Sequence, residues 1–250
     1  LEKQVSERTK ELEDTNIELA KKNKEVQTLA YISSHDLQEP LRKIQTFSTQ
    51  LIEKESRNLS DSGKDQFRRM VNAASRMQTL IDDLLIFSRM NTQERKFEEW
   101  DLNILVEEVR EDLKEEIQIK QAIITTEGLG VVNIIPVQFR QLLFNLVNNS
   151  LKFSKPGVAP QIDITGEIAL INDAMYNHIS ISDNGIGFEQ QYSEKIFEVF
   201  QRLHGRNEYN GTGIGLSIVK RIVENHHGYI FANSVSNQGT TILIYLPVSE

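Results

Sequence analysis

Apolar residues in the first third of the chain recur at helical spacings. Val5, Leu12, Leu19 and Val26 fall seven apart, as along a coiled-coil seam, but the intervening seam positions Arg8, Thr15 and Lys22 are polar and make that coil weak. A second set, Leu37, Ile44 and Leu51 joined by Leu41, begins eleven residues after Val26, seven plus four. An insertion of four predicts local unwinding just before His35. In the downstream register His35 faces solvent. Pro40 has no N–H, so the Asp36 carbonyl loses its helical donor and a bend is predicted there. Asn58 to Gly63 reads as a turn, with Ser62 and Asp65 spaced as a capping box. A second helix to about Arg89 then places Phe67, Met70, Ala74, Met77, Ile81, Leu84 and Leu85 on one face. Two such helices cannot cover both apolar faces alone, which predicts a homodimeric four-helix bundle.

Past a polar stretch, Asn91 to Lys96, the pattern changes. Helical periodicity runs over Asn103–Glu116, Pro136–Phe153 and Gly213–His226. Runs rich in β-branched and aromatic residues predict strands at Ala122–Thr126, Ile162–Leu170, His178–Ser182, Tyr229–Asn233 and Thr241–Leu246. The expected fold is therefore an α-helical hairpin dimerisation domain followed by an α/β sandwich, with helices on one face of a mixed sheet.

Composition narrows the function. The absence of cysteine excludes disulfides, thiolate catalysis and Cys-based zinc sites. A formal net charge of −8 argues against a nucleic-acid partner. No apolar run approaches a membrane span. The chain begins with Leu1, and an upstream sensor domain or membrane anchor is expected to precede it.

Candidate chemistry lies in three clusters. Asp183-Asn184-Gly185-Ile186-Gly187 follows a predicted strand; the carboxylate could accept from an exocyclic amine, which favours adenine over guanine, although Asp-Asn-Gly is also an ordinary turn. Gly211-Thr212-Gly213-Ile214-Gly215 precedes a helix, where backbone N–H groups can hold an anion. Asn145, Asn149 and Lys152 are spaced to share one helix face, a polar stripe that phosphate and Mg²⁺ would satisfy. Upstream, Asp36 beside His35 could hold one ring proton and leave the other nitrogen free to attack.

Taken in order, these motifs resemble the catalytic core of two-component sensor histidine kinases, with wording closest to phytochrome-like and PAS-linked members. Ser34-His35-Asp36-Leu37-Gln38-Glu39-Pro40-Leu41-Arg42 is similar to the family's phosphoacceptor motif, Asn145 to Phe153 to its asparagine box, and the two glycine clusters to its glycine boxes. Ile196 to Gly205 is similar to its phenylalanine box and lid, with His204 a candidate lid residue. The resemblance implies a coiled-coil signalling linker over 1–28, a dimerisation and phosphotransfer domain over 29–92, and an ATP-binding domain of the gyrase/Hsp90/kinase fold over 97–250. It implies His35 as phosphoacceptor and Asp36 as its acid/base partner. ATP would be held by Asn145, Asn149, Lys152, Asp183, Gly185, Gly187, Arg202, Gly211, Thr212, Gly213 and Gly215, with Asn149 on Mg²⁺. Its implied partners are a second copy of the chain and a response-regulator receiver domain, and its implied location is the cytoplasm. Related ATPases of this fold carry a water-activating glutamate where Asn145 stands, so phosphoryl transfer is implied over hydrolysis. Glu39 stands where many relatives carry the Asn or Thr used in dephosphorylating the regulator, so that activity is expected to be weak.

Overall fold

The computed structural model describes residues 2–55, 58–89, 96–203 and 211–248, and the chain divides into two compact units, Leu1–Thr92 and Gln93–Glu250. The first is a hairpin of α1 (Glu2–Lys54) and α2 (Asp61–Arg89). α1 passes unbroken through Pro40 and through the expected register change, so neither interrupts the helix. A single proline removes one backbone hydrogen bond, and Leu41 beside it is packed against α2. The side chains of Val5, Leu19, Val26 and His35 lie outside the described residues.

The start of α2 differs from the expected Ser62 box. Ser60 is the cap: its Oγ accepts the Gly63 N–H at 3.1 Å and its carbonyl accepts the Lys64 N–H at 2.9 Å. Ser62 already lies within the first turn. The single apolar face expected for α2 also divides. Leu41, Ala74 and Ile81 are buried at 9% exposure or less, with Leu85 packed on them, and close the hairpin. Leu37, Ile44, Leu51, Met70 and Met77 stay 41–53% exposed, a second apolar stripe that the hairpin itself does not cover.

The second unit is built on a five-stranded mixed sheet. Its strands are β2 (Ile123–Glu127), β4 (Gln161–Ile171), β5 (Ala174–Asp183), β6 (Tyr229–Val235) and β7 (Gly239–Pro247), in the order β2-β4-β5-β7-β6. β2 runs parallel to β4 and the other pairs are antiparallel. The register aligns Ile164, Ile181, Ile242 and Ala232 across four strands, all buried, so one face is the core. α6 (Gly215–Asn225) packs on β6, and α5 (Pro136–Lys152) packs between α6 and α3 (Leu102–Asp112). The expected 103–116 helix is two helices, because buried Leu113 breaks the turn between α3 and α4 (Lys114–Lys120). β1 (Glu98–Asp101) and β3 (Val131–Ile134) form a separate antiparallel pair, too short to stand out as runs in the sequence. Asn172 and Asp173, both at positive φ, make the tight turn that lets β4 and β5 run beyond their expected ends.

His226 ties the helices to one another. Its Nε2 accepts the Ile135 N–H at 2.9 Å, and its Nδ1 lies 2.7 Å from the Ile222 carbonyl, so the ring is neutral with its proton on Nδ1. Among the described residues no helix is long and apolar enough to cross a membrane.

Candidate functional site

α5, the end of β5, and the segment entering α6 enclose a cavity of about 180 Å³. It brings together Asn149, Lys152, Asp183, Gly187, Arg202, Gly211, Thr212, Gly213 and Gly215, residues spread from position 149 to position 215. Its wall is apolar, from Leu146, Ile181, Ile186, Phe188, Ile196 and Ile242. Two expected residues stand just outside. Asn145 is one turn back along α5, where its carboxamide donates to the Gly215 carbonyl at 3.4 Å and accepts from Gln141 at 3.3 Å. Gly185 sits behind Asp183, its N–H donating to Asp183 Oδ1 at 2.9 Å, with no room for a Cβ beside the Phe153 carbonyl. Asp36 lies exposed on α1 in the first unit; the His35 side chain and His204 lie outside the described residues.

Asp183 is the electrostatic centre. Oδ1 accepts from the backbone N–H groups of Gly185 at 2.9 Å and Thr240 at 3.2 Å. Oδ2 lies 3.2 Å from the Ser150 Oγ, which also lies 3.1 Å from the Leu146 carbonyl oxygen and has one proton for the two. Burial pushes the carboxyl up from its ordinary value, against the opposing pull of Gly185, Ser150 and Thr240. Oδ2 thus remains an acceptor aimed at an apolar cavity. Gly187 holds a left-handed φ of 58°, and a Cβ there would overlap the Val235 carbonyl oxygen. Asn184 anchors the opposite side, accepting the Gln161 N–H at 3.0 Å and donating to the Ala159 carbonyl at 3.1 Å.

The other end of the cavity is cationic. Lys152 Nζ lies 4.4 Å from the Phe153 ring centroid, and burial, then the nearby Arg202 guanidinium, push its pKa down to about 8. Arg202 donates to the Gly211 carbonyl at 2.9 Å, which holds the glycine segment against the lysine. The half-buried Asn149 carboxamide has no hydrogen-bond partner among the described residues, and its carbonyl oxygen is a donor of the kind a hard divalent cation takes. An acceptor in an apolar recess at one end and paired cations at the other suit a purine with a polyphosphate tail.

Ser150, Thr240 and the apolar wall were not singled out in the sequence. Ser150 lies inside the asparagine motif, flanked by Asn149 and Leu151. Asn237-Gln238-Gly239 before a β-branched run signals a hairpin turn, but nothing in it points to Asp183.

Residues 25–93 match the His Kinase A (phospho-acceptor) domain, and residues 134–250 match the Histidine kinase-, DNA gyrase B-, and HSP90-like ATPase family. Cyanobacterial phytochrome A of Nostoc sp. is 38% identical over 92% of this chain. The chain belongs to the sensor histidine kinase family. Phytochrome-like protein Cph1 of Synechocystis sp. is 36% identical over 93% of this chain, and sensor histidine kinase WalK of Bacillus subtilis 30% over 87%. The chain spans about a third of the length of these relatives, 30% of each phytochrome and 36% of WalK. Among solved structures, full-length ShkA in complex with AMPPNP shares the fold at TM-score 0.64 and 20% identity, over 88% of this chain and 46% of that one. The catalytic domain of histidine kinase ThkA matches at TM-score 0.51 and 28% identity, over 62% of this chain and 99% of that domain.

Proposed function

We propose that this chain transfers the γ-phosphoryl group of ATP to a ring nitrogen of His35 and passes it on to an aspartate of a response-regulator receiver domain, acting as a homodimer. The observation that carries the reading is the cavity itself, with the Asp183 acceptor fixed at one end and Lys152 and Arg202 at the other. Phosphoryl transfer depends mainly on positioning and charge neutralisation, which these groups can supply. Asp183 accepts from the adenine amine, Lys152 and Arg202 meet phosphate oxygens, and Asp36 takes the proton that His35 loses on phosphorylation. Asn149 would hold Mg²⁺, which offsets charge on the phosphates when bound. Asn145 has no carboxylate with which to activate water, so transfer is favoured over hydrolysis. The uncovered stripe of Leu37, Ile44, Leu51, Met70 and Met77 supports the dimer. We assign residues 1–28 to a signalling linker, 29–92 to phosphotransfer and 97–250 to nucleotide binding.

Incubation with γ-labelled Mg-ATP tests the reading. Acid-labile label on the chain is the expected result. Steady ATP hydrolysis with no label on the protein would replace it with an ATPase clamp, the alternative the same fold serves.

The depressed lysine gives a pH prediction. Below about pH 8 Lys152 is already an ammonium in the empty site; above it, nucleotide binding must first recover the proton. ATP affinity should therefore fall about tenfold from pH 7 to pH 9. Calorimetric titration of the parent and of Lys152→Gln should show the fall in the parent and a flat profile in the variant. A parent profile as flat as the variant's would remove Lys152 from the phosphate site.

A further inference from the structure

We propose that Asp82 is a positioning residue for phosphorylation of His35, acting through Gln38; the inference rests on the kinase reading above. Gln38 Nε2 on α1 donates to Asp82 Oδ1 on α2 at 2.9 Å. Gln78 Nε2, one turn before Asp82 on α2, donates to the same oxygen at 3.1 Å. Two amide donors from different helices thus converge on one carboxylate oxygen. Gln78 holds the acceptor in place, and Gln38 is the tether between helices.

The place of this tether gives it a role. Gln38 follows His35 by three residues, so the two positions are neighbours on the helix surface. Pro40 lacks an N–H, and the Asp36 carbonyl therefore has no donor four residues on. The turn from Asp36 to Pro40 is held by one backbone bond fewer than the rest of α1. On the far side of that turn, Leu41 is buried against Ala74 and Ile81, where packing fixes the helix. On the His35 side the Gln38–Asp82 bond crosses to α2 in the middle of the weakened turn. Glu39 and Lys43 also span Pro40, 2.6 Å apart, but both lie on α1 and so do not fix it against α2. The tether therefore sets the rotation of α1 about its axis at His35, and with it the direction in which the acceptor nitrogen is presented.

An exposed hydrogen bond adds little to global stability, whereas misplacing a reacting group slows chemistry strongly. That difference separates the proposal from a merely structural role. Autophosphorylation of the full chain should be measured over a range of ATP concentrations for Asp82→Ala, Gln38→Ala, the double variant and Asp82→Asn. Asp82→Ala and Gln38→Ala should each lower kcat about tenfold with KM for ATP unchanged. The double variant should lose no more than either single one, because both remove the same bond. Asp82→Asn keeps an oxygen that accepts from both amides and should restore the rate to within about twofold of the parent. Single variants at the parental rate, additive losses, or an asparagine variant as slow as the alanine one would each overturn the proposal and leave the kinase reading standing. A parent chain that takes no label would overturn the kinase reading and this inference together.

Discussion

Asp183→Asn should take far less phosphoryl label than the parent because it binds ATP far more weakly, whereas His35→Gln should take none while binding ATP like the parent. The asparagine outcome follows from the fixed environment of the carboxylate. Oδ1 accepts two backbone N–H groups, from Gly185 and Thr240. An asparagine must keep its oxygen there, since turning the amide would set its NH₂ against both donors. The NH₂ is then forced into the position of Oδ2, toward the cavity. A donor would face the exocyclic amine of adenine, and an unpaired buried donor costs about 1–3 kcal/mol on top of the lost charge-assisted bond. ATP affinity should fall on the order of 100-fold, and a purine triphosphate with a carbonyl at that position should lose far less. Displacement of a fluorescent nucleotide by ATP and by ITP reads both changes. If the variant keeps its preference for ATP, Asp183 does not read the base. The cavity is lined wholly from the second unit, by residues between Leu146 and Ile242, so His35→Gln leaves binding intact. If His35→Gln still carried acid-labile label, the acceptor would be another residue.

The sequence made much of this site legible because its motifs are local. Asp183 with Gly187, the Gly211–Gly215 segment and the Asn149–Lys152 stripe each announce themselves within a few residues, and folding brings them to one cavity. What stayed hidden depends on pairings between distant positions. Asn145 has the right spacing from Asn149, but helical spacing cannot show that its amide is engaged by Gln141 and the start of α6. Thr240 acts through its backbone N–H, which carries no residue-type signal, and reaches Asp183 only because β5 pairs with β7. The helical hairpin was legible from periodicity alone, yet periodicity could not divide its apolar residues between the intrachain core around Ala74 and the open stripe of Met70 and Met77. The Ser60 cap was missed for a similar reason: several hydroxyl and acidic residues crowd the turn, and only the geometry selects among them.

Glycines make the same point as a measurable contrast, and Gly239→Ala should be far more damaging than Gly215→Ala. Gly215 belongs to the conspicuous glycine segment, yet a Cβ built there meets nothing closer than 3.9 Å, the Asn145 carboxamide. It is the first residue of α6, where alanine is the better helix former by up to about 1 kcal/mol. Gly215→Ala should therefore match or exceed the parent in thermal stability, and any loss it shows in ATP binding reports a close approach of ligand to backbone. Gly239 carries no motif. It lies at the start of β7 with φ 114°, and a Cβ there would overlap the carbonyl oxygen of Asp183. Neither atom is at the end of a flexible side chain, so relief requires the β5–β7 pairing to part where Asp183 faces Thr240. Backbone strain and overpacking together should cost about 3 kcal/mol or more. The same displacement withdraws the Thr240 N–H from Asp183 Oδ1, so nucleotide binding should fail even in the fraction that stays folded. Thermal unfolding with and without ATP separates the two effects: Gly239→Ala should melt well below the parent and gain no stabilisation from ATP. If it melts with the parent, the close approach of β7 to Asp183 does not hold in solution.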